Sequence, residues 1–225
     1  MSARDAILSA VRRNLPRPAV PLPEIPERAQ KTVASGLGYK EHFNRMPEVA
    51  GPDAGEPLLA YFRRQLEAMG GRSFEVPDAA AARTKVAELF PKAKVVCSAV
   101  PEVPGTRRVA DVRDPHELND LDVGVIRSPL AVAEAGAVWV TQEELVVDAL
   151  GVLSQHLVVL LDPAVVVETM YDAYERIDLT ASPYGVFLAG PSATGDIEGV
   201  IIHGAQGARS VTVLFLAPAA AGGRA

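Results

Sequence analysis

Short apolar runs alternate with longer stretches of helical periodicity over most of the chain from residue 56 onward. A helix is predicted over 56–69, where two adjacent glycines give a stop signal, and an alanine-rich helix is predicted over 78–90. Two further helices are predicted over 143–150 and 163–175. The predicted strands are runs of four to eight mostly apolar residues: 73–76, 93–100, 123–126, 137–141, 156–161, 186–189 and 211–216.

Apolar strands separated by helices indicate an α/β fold, a largely parallel sheet covered by helices on both faces. In such sheets ligands bind beyond the carboxyl ends of the strands. Ser128 and Gly190 each follow a predicted strand, so we expect the functional site near these ends.

The first 27 residues are predicted to form a helix and a tether. Ser2 can cap a helix that extends through Leu15, and the five prolines that follow favour extended polyproline geometry. Residues 28–217 are predicted to form a single α/β domain, and residues 218–225 a flexible tail of small side chains. Since the helix is too short to be stable alone, its apolar face must dock, either on its own domain, on a second copy or on another subunit.

Composition and charge narrow the range of partners. The net charge is −6 and no long cluster of Lys and Arg occurs, which disfavours nucleic acid and anionic membranes. No apolar run is long enough to cross a bilayer and the N-terminus lacks a signal-peptide core, so we expect a cytoplasmic protein without membrane insertion. The single cysteine, Cys97, lies in an apolar predicted strand, which indicates a buried residue rather than a nucleophile.

The segment 190–199, Gly-Pro-Ser-Ala-Thr-Gly-Asp-Ile-Glu-Gly, is the strongest candidate for a binding site. If the strand before it turns into a short helix, the backbone N–H groups between Gly190 and Gly195 form a cradle for an anion. Ser192 and Thr194 add hydroxyl groups to that cradle. The alternative is an ordinary strand–turn–helix junction with good capping chemistry.

Two carboxylates follow in the same segment. Asp196 and Glu198 stand two residues apart, so on a helix they would point about 200° away from each other. We therefore expect Asp196 to cap the helix or face a ligand, and Glu198 to be solvated or paired.

Glu134 is the first candidate for a catalytic residue. It lies beside Gly136, between two predicted strands and in apolar surroundings, where desolvation would raise its pKa and suit acid–base or nucleophilic work. Alternatively, Glu134 is a buried glutamate that accepts backbone N–H groups and orders its loop.

His156 opens an apolar strand, so a structural role satisfied by hydrogen bonding is expected ahead of a chemical one. No set of histidines and carboxylates has the spacing of metal ligands, and we predict no metal site.

Three segments resemble the lactate-utilisation protein C (LutC) family of LUD-domain proteins. That family reads Gly-Pro-Ser-x-Thr-Ala-Asp-Ile-Glu where this chain has 190–199, followed by a Gly-x-His-Gly turn whose histidine is replaced here by Gln206. At 133–140 the family favours Ala-Glu-Thr-Gly-Thr; this chain keeps the glutamate and the glycine but has alanine at both threonine positions. The third match is 153–159, where a histidine opens a buried strand.

The resemblance implies a fold like that of the NagB/RpiA/CoA-transferase group. It also implies a role in oxidising L-lactate to pyruvate with iron–sulfur partner subunits, and a small carboxylate or phosphate anion as ligand. A lone cysteine cannot hold a cluster by itself, so we expect no cofactor in this chain and iron–sulfur clusters in its partners. The rival hypothesis is a stand-alone enzyme acting on a small acyl or phosphorylated substrate, with Glu134 as base or nucleophile by analogy to the CoA-transferase glutamate.

Overall fold

The structure, a computed structural model, describes residues 3–14, 51–53, 55–195 and 199–217. The chain divides into two compact units, 1–48 and 49–225. In the first unit, helix α1 (Ala3–Asn14) confirms the predicted N-terminal helix. The proline-rich tether and the tail over 218–225 lie outside the described residues.

The second unit holds the remaining described helices and strands. In chain order they are α2 (Leu58–Ala68), β1 (Arg72–Glu75), α3 (Ala79–Leu89), β2 (Val96–Ser98), β3 (Arg107–Arg108), β4 (Val123–Ser128), β5 (Leu130–Val132), β6 (Ala137–Thr141), α4 (Gln142–Leu145), α5 (Leu150–Leu153), β7 (His156–Leu161), β8 (Val166–Val167), α6 (Met170–Arg176), β9 (Gly185–Ala189), β10 (Ala193–Thr194), β11 (Ile202–His203) and β12 (Ser210–Phe215).

A six-stranded parallel sheet in the order β1-β12-β7-β4-β2-β3 forms the centre of this unit. His156 opens β7 and pairs in register with Val123 of β4 and Ser210 of β12. The three longest strands therefore begin at the same end of the sheet, called here its amino edge, and finish at the opposite end, its carboxyl edge. The predicted α/β fold with a mostly parallel sheet is confirmed.

Both faces of the central sheet are buried, which is why its strands read as nearly continuous apolar runs. Val86 and Phe90 of the α3 segment pack on one face with Val158 and Leu214. Asp78 caps α3 by accepting the N–H of Ala81 at 2.8 Å.

The opposite face is covered by α2 and by a second sheet in the order β8-β5-β6-β9. Phe62 and Leu66 of α2 share this core with Val159 of β7 and Val138 of β6. In the second sheet β6 is antiparallel to both β5 and β9, so the predicted strands 137–141 and 186–189 form but do not join the parallel sheet. Strand pairing depends on distant partners, and a four-residue apolar run does not specify them.

The helix predicted over 163–175 is wrong in its first half. Residues 163–165 form a 3₁₀ turn, Val166–Val167 is β8, and the helix covers only Met170–Arg176. The pair of valines extends the edge of the second sheet beside Ala131 and Val132, a tertiary pairing that overrides the apolar helical pattern.

The helix predicted over 143–150 is broken into α4 and α5. Val146 has a φ of 60°, a left-handed conformation that cannot continue an α-helix. Among the helices of the described residues, none is long and apolar enough to span a membrane.

Candidate functional site

Two of the segments singled out in the sequence meet at one end of the second sheet. Residues 133–136 form the turn between β5 and β6, closed by the Gly136 N–H donating to the Ala133 carbonyl at 3.0 Å. Ala137 of β6 pairs with Ala189 of β9, which brings this turn beside Gly190.

Both turns contact the C-terminal end of α2. Gly136 has a φ of 55°, and a Cβ there would lie 2.3 Å from the Leu66 backbone nitrogen. Gly190 has a φ of 67°, and a Cβ there would lie 2.3 Å from the Met69 carbonyl oxygen. Only glycine fits these positions, because the left-handed conformation and the close approach both exclude a side chain. Gly136 and Gly190, one from each motif, therefore pack against the C-terminal end of helix α2.

Glu134 is half-buried and fully engaged by this packing. Its Oε1 accepts the N–H of Met170 at 2.6 Å, at the start of α6. Its carbonyl accepts the Gln65 side-chain amide at 2.8 Å, and its own N–H donates to the Glu168 carbonyl at 3.0 Å. These contacts agree with the alternative in which Glu134 orders its loop by accepting a backbone N–H group. Nearby Tyr61 is buried, and its pKa is raised by that burial first and then by the Glu134 charge.

The predicted turn into a helix after Gly190 is wrong for the described residues. Ala193–Thr194 form β10, which pairs antiparallel with β11 as a hairpin. The Ser192 N–H donates to the Ala208 carbonyl at 2.9 Å, so this amide is used within the fold and not available to an anion. Asp196 and Glu198 lie outside the described residues.

The hairpin returns to Ser192 through the turn that contains Gln206. The Ser192 carbonyl accepts the Gly204 N–H at 2.9 Å, and a Cβ on Gly207 would lie 3.0 Å from the Ser192 Cβ. Gln206 itself is exposed, while Thr194 ends β10 and Gly195 follows it.

His156 lies at the amino edge of the central sheet, away from the carboxyl ends where the sequence predicts a site. Its Nδ1 is 2.8 Å from the Ser210 hydroxyl oxygen, and its ring stacks on Phe90 with centroids 4.7 Å apart. Burial foremost, and then the charges of Arg72 and Arg209, lower the pKa of His156.

Backbone hydrogen bonds connect the residue before His156 to the segment that follows the hairpin. The Arg209 N–H donates to the Gln155 carbonyl at 2.8 Å, and the preceding residue, Ala208, accepts from Ser192. All three segments singled out in the sequence thus converge on the amino edge of the central sheet.

A comparison with known protein families matches the part of the chain that contains all three segments. Residues 105–216 match the sequence model of the LUD domain. The chain belongs to the LUD-domain family. The matched part runs from β3 to the end of β12, so α2, which packs on the motif turns, comes from outside it.

A crystal structure of a DUF162 family protein from Deinococcus radiodurans is similar to this LUD-domain protein. The two share 16% sequence identity with a TM-score of 0.57, covering 71% of this chain and 96% of the other. This likeness supports the fold alone. No protein of curated function matches the chain in sequence.

A cavity of about 480 Å³ lies near the carboxyl ends of the central strands of the LUD domain, at the end of the sheet opposite to His156. Pro129, directly after β4, and Val165, four residues after β7, are among its lining residues, as the general rule for parallel sheets predicts. Arg176 also lines it, and no carboxylate of the described residues lies within ion-pairing distance of that guanidinium. Trp139 and Leu130 supply apolar surface.

Sequence reasoning missed Arg176, Arg72 and Arg209. Each is an isolated arginine, a pattern typical of solvated surface, and only the fold places them at a cavity or beside a histidine. Within the described part of the chain, no group of three or more His, Cys, Asp or Glu side chains is placed to hold a metal ion.

Proposed function

We propose that this LUD-domain protein is a component of L-lactate utilisation and acts with iron–sulfur partner subunits that oxidise L-lactate to pyruvate. The observation that carries the proposal is the LUD-domain match over 105–216, to which the resemblance of 133–140 and 190–207 to the LutC family adds support. With one cysteine, the chain falls short of the roughly four thiolates that hold a cluster, so the clusters would belong to the partners.

The cavity at the carboxyl edge is the proposed place for a substrate carboxylate. The guanidinium of Arg176, which has no ion-pair partner among the described residues, can bind a carboxylate through two parallel hydrogen bonds. Leu130 and Trp139 offer apolar surface to the rest of a small acid.

Carboxylates in the same cavity restrict the charge of that ligand. Glu144 accepts from the N–H and the hydroxyl of Thr141, each at 2.7 Å, and Asp178 accepts from the N–H of Thr180 at 2.8 Å and from its hydroxyl at 2.6 Å. These bonds lower the pKa of Asp178, which stays ionised. Since Glu143 adds a third negative charge, a monoanion such as L-lactate suits the site better than a dianion.

The stand-alone enzyme with Glu134 as base or nucleophile has weaker support. Its carboxylate already accepts the Met170 N–H, and the turn that bears it packs on the backbone of α2. A nucleophile would have to give up that hydrogen bond.

The test is growth of a deletion strain on L-lactate as sole carbon source, complemented with wild type, Arg176→Gln or Arg113→Gln. Arg113 is exposed and outside the cavity, so it serves as the matched control. We expect wild type and Arg113→Gln to restore growth and Arg176→Gln to fail at equal protein level.

The outcomes separate the two parts of the proposal. Normal growth of the deletion strain, with no duplicate gene, would reject the role in lactate utilisation. Restoration by Arg176→Gln as complete as by wild type would keep the pathway role and reject the cavity as the carboxylate site.

A further inference from the structure

A group of positive side chains surrounds His156 at the amino edge of the central sheet. Arg72, the first residue of β1, donates through Nε to the Thr212 hydroxyl at 2.9 Å, which holds its guanidinium 5.5 Å from the centre of the Phe90 ring. The His156 ring stacks on the same phenyl ring, with centroids 4.7 Å apart. Phe90 therefore links the arginine to the histidine.

Arg209 and Lys92 complete the group, called here the basic edge: Arg72, Lys92, His156 and Arg209. The backbone bond from Arg209 to Gln155 places the arginine next to His156 in space, and its charge acts on the histidine. Lys92 and His156 line one depression of about 270 Å³ together with Phe90 and the carboxylate of Asp122.

The positive charges of the basic edge have no ion-pair partner in the part of the chain that the structure describes. Within the described ranges, no carboxylate lies within ion-pairing distance of Arg72, Arg209 or Lys92. The nearby acid is Asp122, whose Oδ2 is committed to the N–H groups of Lys94 and Val95 at 2.7 and 2.9 Å.

An acidic protein that places several positive side chains around one histidine favours an anion there. The net charge of the chain is −6, so the basic edge runs against the overall sign. Repulsion between the arginines and a protonated His156 costs free energy that a bound anion would offset.

We propose that the basic edge binds a phosphate group, as inorganic phosphate or a phosphomonoester. If the Ser210 hydroxyl donates to Nδ1, the Nε2–H of His156 is left as a donor, and Arg72, Arg209 and Lys92 contribute charge-assisted bonds. Three permanent positive charges, set against the single carboxylate of Asp122, suit a dianion better than a monocarboxylate. The site is independent of the proposed role in lactate utilisation and of the cavity at Arg176.

The test is an NMR pH titration of the histidine ring protons of the full chain in phosphate, with sodium chloride at matched ionic strength as reference. The reference is needed because salt alone screens the arginines and raises the pKa of His156. We expect phosphate to raise the pKa of His156 saturably beyond the salt effect, while exposed His116, paired with Asp114, does not follow.

Variants then assign the shift to the basic edge. Arg209→Gln and Arg72→Gln are each expected to weaken phosphate affinity about tenfold, Arg209→Lys to retain most of it, and Arg113→Gln to retain all of it. Circular dichroism checks folding, and Lys92→Gln, at an exposed position, replaces any variant that fails to fold.

Three results would overturn the proposal: no saturable shift beyond that in chloride, an equal affinity for acetate, or unchanged affinity in the folded double variant Arg72→Gln/Arg209→Gln.

Discussion

Gly136 and Gly190 lie next to each other, one before Ala137 and one after its partner Ala189, and both face the same end of α2. This end is closed by a Schellman motif, in which the Gly71 N–H donates to the Leu66 carbonyl and the Gly70 N–H to the Glu67 carbonyl. The two turns of the second sheet thus rest on a helix terminus of fixed geometry. Helix α2 lies outside the matched LUD segment, yet it fixes the position of the family motifs.

Replacing Gly136 with alanine tests this contact. We expect the free energy of unfolding to fall by about 2 to 4 kcal/mol, because the left-handed backbone and the contact with Leu66 each add a cost. Gly55→Ala is the matched control: it also has a positive φ, but nothing lies within 4 Å of its Cβ, so about 1 kcal/mol is expected. Urea denaturation measures both, and equal losses would show that the contact with α2 costs nothing.

Substitution of Glu134 separates loop ordering from catalysis. Glu134→Ala leaves the Met170 N–H without its acceptor and should lower the free energy of unfolding by about 1 to 2 kcal/mol. Glu134→Gln keeps a carbonyl acceptor, and we expect it to be close to wild type in stability and to restore growth on L-lactate. A folded Glu134→Gln protein that cannot support growth would instead indicate a chemical role.

His156 makes stability depend on pH. Its pKa in the folded protein lies below the unfolded value of about 6.5, so the unfolded chain binds the proton more readily. The associated stability is complete above about pH 6.5 and is lost as the pH falls from there through the folded pKa. Urea denaturation across this window should show a shallower pH dependence for His156→Gln than for wild type, and identical slopes would contradict the assignment.

Cys97 should be unreactive in the folded protein. Its side chain is fully buried in β2, and burial, opposed by the Arg107 charge, raises the pKa of the thiol. We expect a thiol reagent at pH 8 to label it only after denaturation, as followed by mass spectrometry. Rapid labelling of the native protein would show that β2 opens readily.

The elements that could be predicted best are those whose pattern is local. The strands 137–141 and 156–161 are found with the predicted bounds. A strand whose two faces are both largely buried is apolar along its length, so its ends can be read from the sequence. Helix α2 follows from its glycine stop and α3 from its run of alanines, and the structure adds the Asp78 cap of α3.

The arrangement of the second sheet could not be read from the chain. Apart from the turn that joins β5 to β6, its strands pair across gaps of tens of residues, as Trp139 with Phe187 does. Nothing local distinguishes a strand of this sheet from one of the central sheet. The same limit applies to β10, where pairing with β11 replaces the predicted helix.

For the candidate site, the sequence by itself singled out the segments that hold Glu134, Gly136, Gly190 and His156, because they resemble the family motifs. Only the tertiary structure decided that these segments gather at the amino edge of the sheet and that Glu134 accepts the Met170 N–H. It also decided that Arg72 and Arg209 lie beside His156 with no carboxylate partner among the described residues. The physical reason is that hydrogen bonds and charges act through space, over distances set by strand pairing between residues far apart in the chain.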